Sequence, residues 1–172
     1  PIIALIIKLE SKGPVIFKQQ REGEKGKSFM CFKFRTMQNN PEADHAWAKT
    51  NDPRLTKFGA FLRKTSLDEL PQFFNVLLGD MSVVGPRPHP LKLNQEYKLK
   101  VEKFPKRHQF KPGITGLAQA LGHRGTIVEP HQMSSRVRLD RFYFQNWSFV
   151  LDIKIIFLTV FGLANFRNSS AY

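Results

Sequence analysis

Arg63-Lys64-Thr65-Ser66-Leu67-Asp68-Glu69-Leu70-Pro71-Gln72 is the stretch whose reading organises the rest of the chain. Ser66 followed three residues later by Glu69 has the form of a capping box, so the spacing predicts a helix starting at Thr65 or Ser66. Pro71 agrees, because proline is tolerated in a first helical turn and not beyond it. Gly79 follows Leu78 as the expected stop. Two readings of the carboxylates follow. In the plainer one Glu69 caps the helix. In the sharper one the helix start, with its unpaired N–H groups and partial positive charge, seats a phosphate. Asp68 in that first turn then stays ionised and can attack phosphorus. Adjacent helical residues point about 100° apart, so Asp68 and Glu69 cannot share one proton face to face. Their roles must differ: one attacks, while the other can hold a metal.

Working outward, basic residues frame this stretch. Arg63 precedes Asp68, and Arg87 lies in Gly85-Pro86-Arg87-Pro88, where each proline fixes its own φ and restricts its predecessor. A rigidly held arginine suits bidentate phosphate binding better than a solvated surface role does. Lys33 and Arg35, at the end of an expected strand, are read as further substrate-phosphate-binding groups, with a solvated strand-end charge as an equally good reading of either alone.

The remaining pattern is mixed α and β, with helix dominant. Residues 2–9 are apolar and read as helix. Strands at 15–20 and 28–35 flank Glu22-Gly23-Glu24-Lys25-Gly26-Lys27, which reads as a hairpin connection. A short polar helix is expected at 41–49. Leu55, Phe58, Phe61 and Leu62 recur at helical spacing. Downstream come a charged helix at 90–104, a loop at Lys111-Pro112-Gly113-Ile114-Thr115-Gly116, and helices at 132–146 and 149–164. In the last, Val150, Ile153, Phe157, Val160 and Phe161 fall close to one face. There is no internal repeat, and 172 residues suit a single domain.

Composition narrows the class. Hydrophobic residues at 41% and charged residues at 24% exclude a disordered chain. The net charge of +13 calls for an anionic partner: nucleic acid, an anionic bilayer or a phosphorylated substrate. Cys31 is the sole cysteine, so no internal disulfide forms, and it reads as a small core residue. The apolar run at 2–7 is far shorter than the roughly 20 residues that span a bilayer. Asp152 and Lys154 interrupt the other apolar stretch. The chain is therefore not expected to cross a membrane by itself. His45, His89, His108, His123 and His131 lack the close spacing of a zinc site. His123 and Arg124 could contact a nucleotide or sugar as readily as stand in an ordinary surface loop.

Five motifs then occur in order: Lys33-Phe34-Arg35-Thr36-Met37, Thr65-Ser66-Leu67-Asp68-Glu69-Leu70-Pro71-Gln72, Asn75-Val76-Leu77, Gly79-Asp80-Met81-Ser82 and Gly85-Pro86-Arg87-Pro88. Together with 111–116 and Trp147-Ser148-Phe149-Val150-Leu151-Asp152-Ile153-Lys154, they resemble the bacterial sugar transferase family, the monotopic polyprenyl-phosphate phosphoglycosyl transferases. Nearly the whole chain takes part, and the C-terminal region is most similar to the glucose-1-phosphate transferases of exopolysaccharide assembly. The resemblance implies a two-step reaction. Asp68 attacks the β-phosphate of a UDP-sugar and releases UMP, and undecaprenyl phosphate then takes the sugar phosphate from Asp68. It places Mg²⁺ at Glu69 and substrate phosphates at Arg63 and Arg87, a charge balance that clustered phosphates need. It also implies a membrane-associated catalytic domain on the cytoplasmic face of the bacterial inner membrane, against its anionic surface. Pro1 and residues 2–10 correspond to the second half of a re-entrant membrane helix, and 149–164 to an amphipathic C-terminal helix. Self-association into a homo-oligomer is left open. The competing readings are a non-catalytic basic membrane-surface module and a nucleic-acid-binding domain. The latter is disfavoured because Phe32, Phe34 and Arg35 sit outside any recognisable reader motif.

Overall fold

The computed structural model describes residues 1–38, 52–125 and 129–165, so the short helix expected at 41–49 lies outside the described residues. Helix dominates. Helix α1 (Ile2–Glu10) leads into strands β1 (Ile16–Glu22) and β2 (Ser28–Phe34), which pair antiparallel from Ile16 opposite Phe34 to Glu22 opposite Ser28. The expected hairpin is present. Its connection holds a 3₁₀ turn at Glu24–Gly26, with Lys25 and Gly26 both at positive φ.

Helix α2 (Lys57–Thr65) begins where Thr56 accepts a hydrogen bond from the Gly59 N–H at 3.0 Å, a side-chain cap at its start. It ends at Ser66, whose left-handed backbone (φ 57°) returns its N–H to the Arg63 carbonyl. Ser66 thus closes one helix instead of opening the next, which corrects the capping-box reading. Ser66 makes no side-chain cap, and Glu69 is engaged elsewhere. The continuous helix expected from 65 or 66 to 78 is instead a 3₁₀ turn at Leu67–Glu69 followed by the six-residue α3 (Gln72–Leu77), with Pro71 at its N-cap.

The loops expected around 85 and 111 conceal a second sheet. Strands β3 (Ser82–Val84) and β4 (Gly113–Thr115) pair in parallel, Ser82 opposite Gly113 and Val84 opposite Thr115. Their approach depends on glycine: a Cβ on Gly113 would stand 2.1 Å from the Gly85 nitrogen. Three-residue strands with turn residues at both edges carry no period-2 signal, so the sequence pattern showed only the turns.

Helices α4 (Leu91–Lys100), α5 (Leu117–Ala120), α6 (Pro130–Gln145) and α7 (Phe149–Asn165) complete the chain, with a 3₁₀ segment at Phe104–Gln109. Helix α6 starts at a true capping box between Glu129 and Gln132. Leu93, Tyr97, Val101, Phe104, Met133 and Val137 form one buried cluster, joining α4 to α6. Val84, Leu117, Ala120, Tyr143 and Ile155 form another, seating α7 on β3 and α5. Thr115 and Thr159 share a 2.6 Å hydroxyl hydrogen bond that ties β4 to α7.

Helix α7 turns Ile155 inward, fully buried, and leaves Val150, Ile153, Phe157, Val160 and Phe161 exposed. The apolar face found by periodicity is therefore its outer face. Leu5 and Leu9 of α1, and Phe74, Leu77 and Leu78 at α3, are also exposed. Among the described residues, no helix is long and apolar enough to cross a membrane.

Candidate active site

Asp68 and Glu69 sit on the 3₁₀ turn between α2 and α3, held against the edge of β2. Asn75 makes that attachment. It is fully buried, its Oδ1 accepts from the Phe32 N–H at 3.0 Å, and its Nδ2 donates to the Met30 carbonyl at 2.7 Å. One amide therefore satisfies two of the backbone groups that β2 presents on this edge. Lys33, one residue beyond Phe32, is carried over the carboxylates as a result.

The Lys33 Nζ lies 2.6 Å from Glu69 Oε1 and 3.6 Å from Asp68 Oδ2. Arg87 meets Glu69 in two-pronged fashion, with Nη2 2.7 Å from Oε1 and Nη1 3.3 Å from Oε2. This is the fork geometry expected of an arginine on a carboxylate. Arg63, near the end of α2, donates from Nε to the Thr36 hydroxyl at 2.9 Å and acts on Asp68 through its charge. Three cations from three elements thus converge on two adjacent carboxylates. The Asp68 and Glu69 side chains are 10% and 13% exposed, whereas Arg87 is 28% exposed, so the solvent side of the cluster is its cationic side.

The two carboxylates differ electrostatically. Burial raises the Asp68 pKa, with Glu69 adding to it, while Lys33, Arg87 and Arg63 oppose the rise. Burial pushes Glu69 the same way but loses: Arg87 and Lys33, by charge and hydrogen bond, hold it well below the usual carboxylate range. Glu69 is thus a fixed anion bound to two cations. Asp68 is less tightly paired, and its environment holds it nearer to neutrality than that of Glu69. No long helix supplies a dipole here, so the ionisation of Asp68 expected from a helix start rests on Lys33, Arg87 and Arg63 instead.

Arg35 does not join this group. Its Nη2 donates to the Ser11 carbonyl at 2.6 Å and to the Ile7 carbonyl at 3.3 Å, and the residue is 6% exposed. It closes the C-terminal end of α1 over the hairpin. Successive strand residues face opposite ways, but Lys33 and Arg35 share a parity, so alternation alone could not separate them. What separates them is that β2 ends at Phe34.

Asp68 and Glu69 are the carboxylates available for a divalent cation, and no group of three or more His, Cys, Asp or Glu side chains converges among the described residues. That donor set fits Mg²⁺, which is commonly bound by one or two carboxylates with water and substrate phosphates completing its six oxygens. It does not fit zinc. Glu69 Oε2, with the longer of the two arginine contacts, is the oxygen less committed to the protein.

The sequence reading missed the groups that hold the site from behind. Arg21 on β1 donates to the Pro88 carbonyl, and Arg107 donates to the Arg87 carbonyl at 3.0 Å. Neither lies in a motif that stands out by spacing.

A family model described as bacterial sugar transferase matches residues 1–165. A UDP-glucose:undecaprenyl-phosphate glucose-1-phosphate transferase of Klebsiella pneumoniae is 52% identical over 172 residues, covering 99% of this chain and 37% of the relative. The chain therefore spans little more than a third of the length of that relative. An exopolysaccharide production protein, PSS, of Rhizobium leguminosarum is 47% identical over 92% of this chain and 82% of its own length. A UDP-N-acetylgalactosamine-undecaprenyl-phosphate N-acetylgalactosaminephosphotransferase of Aeromonas hydrophila is 40% identical over 91% of this chain and 37% of its own.

Proposed function

The chain belongs to the bacterial sugar transferase family, and from that membership we propose that it transfers glucose 1-phosphate from UDP-glucose to undecaprenyl phosphate through a phosphosugar ester of Asp68. The observation that carries this reading is the unequal carboxylate pair: Glu69 locked between Lys33 and Arg87, Asp68 beside it and less tightly held. A carboxylate committed to two short ion pairs is a poor nucleophile. Its neighbour, with Lys33 at 3.6 Å, has an oxygen to offer.

In the first step an Asp68 carboxylate oxygen attacks the β-phosphorus. The new O–P bond forms as the bond from that phosphorus to the bridging oxygen breaks, and UMP leaves with the electron pair. In the second, a phosphate oxygen of undecaprenyl phosphate attacks the same phosphorus and expels the Asp68 carboxylate. The products are UMP and a lipid-linked diphosphosugar. Both steps gather negative charge at phosphorus, where preorganised cations act most strongly. Arg87 and Arg63 would bind the diphosphate, and Lys33 would keep Asp68 ionised against its burial. Glu69, with Asp68 beside it, would hold Mg²⁺, which when bound neutralises charge on the diphosphate.

Glucose is favoured as donor because the relative named for UDP-glucose is 52% identical and the one named for UDP-N-acetylgalactosamine 40%. The exposed apolar side chains of α1, α3 and α7, with the net charge of +13, support a place on an anionic membrane surface, the cytoplasmic face of the bacterial inner membrane. There a lipid phosphate reaches Asp68 while its tail stays in the bilayer. The test is UMP release by the full-length protein, given UDP-glucose or UDP-N-acetylgalactosamine with undecaprenyl phosphate and Mg²⁺. Acceptor-dependent release, faster with UDP-glucose, is expected; no release from either donor would overturn the reading.

A further inference from the structure

The loop Gly85-Pro86-Arg87-Pro88-His89-Pro90 must present Arg87 to Glu69, yet three of its six residues are prolines with no N–H to donate. The Gly85 N–H donates to the Thr115 carbonyl at 2.8 Å, and beyond it three successive carbonyls are taken by three different segments. The Pro86 carbonyl accepts from the Gly113 N–H of β4 at 2.9 Å. The Arg87 carbonyl accepts from Arg107 Nη2 at 3.0 Å, and the Pro88 carbonyl from Arg21 Nη1 of β1.

Arg107 is the centre of this fastening. It is 2% exposed, and a buried charge is tolerated only when paired. Asp140 of α6, 3% exposed, provides the pairing at 2.9 Å from Nη2. The other terminal nitrogen, Nη1, meets His89 Nδ1, so this ring nitrogen is the acceptor and the imidazole is neutral. Burial, and then the positive charges of Arg107, Arg136, Arg21 and Arg87, keep the His89 pKa well below its usual value, in agreement. One guanidinium therefore grips the loop at the Arg87–Pro88 peptide and at His89, and is anchored to α6. The nitrogen that pairs with Asp140, Nη2, is the one that donates to the Arg87 carbonyl, so the anchor on α6 and the backbone of the residue that binds Glu69 meet at one atom.

We infer that Arg107, anchored by Asp140, is a positioning residue that fixes Arg87 in its two-pronged contact with Glu69 and hence toward the substrate diphosphate. This rests on the proposed transfer reaction. Lysine retains the charge opposite Asp140 but lacks the planar fork that reaches Asp140, His89 and the Arg87 carbonyl together.

The test is a double-mutant cycle in the full-length protein with Arg107→Lys, Arg87→Ala and the pair. Its readouts are kcat/KM for UMP release and the Kd for inorganic pyrophosphate. Displacement of a substrate-binding group by about 1 Å can cost about 100-fold, so Arg107→Lys should lower kcat/KM by about 10- to 100-fold when Arg87 is present. With Arg87 already alanine, the same change should cost less than about 3-fold, since nothing remains to be misplaced. Pyrophosphate affinity should show the same asymmetry. If Arg107→Lys fails to fold, Asp140→Asn, which loosens the anchor of Arg107 and leaves its guanidinium in place, completes the cycle. Equal losses in both backgrounds overturn the inference. Asymmetric pyrophosphate binding without any UMP release would keep the inference and overturn the transfer reaction.

Discussion

Replacing Asn75 with alanine probes how the site is assembled without touching a charged group in it. The amide is fully buried and serves the Phe32 N–H and the Met30 carbonyl at once. Its loss leaves both groups without their protein partner, on a half-buried Phe32 and an exposed Met30. A buried polar group left without a partner costs about 1–3 kcal/mol, so the two would cost about 2–6 kcal/mol if fully buried and should cost about 2–4 kcal/mol on an edge that solvent partly reaches. For a chain of this size each kcal/mol lowers the melting temperature by about 2–4 °C, so a fall of about 4–16 °C is expected. Asn75→Asp separates hydrogen bonding from volume: it is nearly isosteric and keeps an acceptor for Phe32, but as a carboxylate it has no donor for Met30. It should therefore also destabilise strongly at neutral pH. Thermal unfolding of the full-length protein, followed by intrinsic fluorescence with ligand absent, reads both variants. Because Lys33 follows Phe32, folded Asn75→Ala should also lose transfer activity. If either variant melts within about 2 °C of the parent, a change worth under about 1 kcal/mol, the account of how β2 is fastened to α3 is wrong.

Three further outcomes follow from the same packing and charge pairing. Glycine to alanine within a helix normally stabilises by up to about 1 kcal/mol, but Gly59→Ala in α2 should destabilise, because the added Cβ would lie 2.0 Å from the Thr36 carbonyl oxygen; a raised melting temperature would show that the approach of α2 to this segment is misread. Glu69→Gln should cost about 1–3 kcal/mol by leaving Arg87 without its carboxylate and Lys33 with the longer Asp68 contact alone, and adding Lys33→Met should recover part of the loss; strictly additive melting shifts would mean that the three do not act as a unit. Burial pulls the His108 pKa down to about 4 from 6.5, with Glu22 opposing the shift. The unfolded chain thus binds the proton more readily, so this contribution to stability is full above pH 6.5 and lost as the pH falls toward 4. His108→Gln should flatten the loss of stability across that window in acid titrations, and an unchanged slope would contradict the assignment.

The residues that converge on the site were legible where their chemistry is local. Asp68 and Glu69 are adjacent in sequence, and Arg87 is stiffened by its own prolines, so each could be read from a few neighbours. Lys33 and Arg35 could not be told apart, because the choice depends on where β2 ends and on carbonyls at Ile7 and Ser11. Ser66 misled for a specific reason: the Ser-to-Glu spacing matches a capping box, yet a left-handed Ser66 ends α2, and two cations compete for the Glu69 carboxylate. The β3–β4 pair was hidden because parallel strands 31 positions apart in register leave no pattern within either three-residue segment. Arg21, Arg107 and Asp140 were missed because a charged residue in sequence reads as surface, and only the fold reveals that Arg107 and Asp140 are buried and Arg21 half-buried. On α7 the periodicity found an apolar face but could not say which way it points, since the inward residues are apolar as well.

The most direct measurement is the intact mass of the full-length protein incubated with UDP-glucose and Mg²⁺ in the absence of acceptor. The account predicts one added hexose phosphate on the parent protein, its removal when undecaprenyl phosphate is supplied, and no such adduct on Asp68→Asn. A persisting adduct of that mass on Asp68→Asn, or full turnover by that variant, would contradict it.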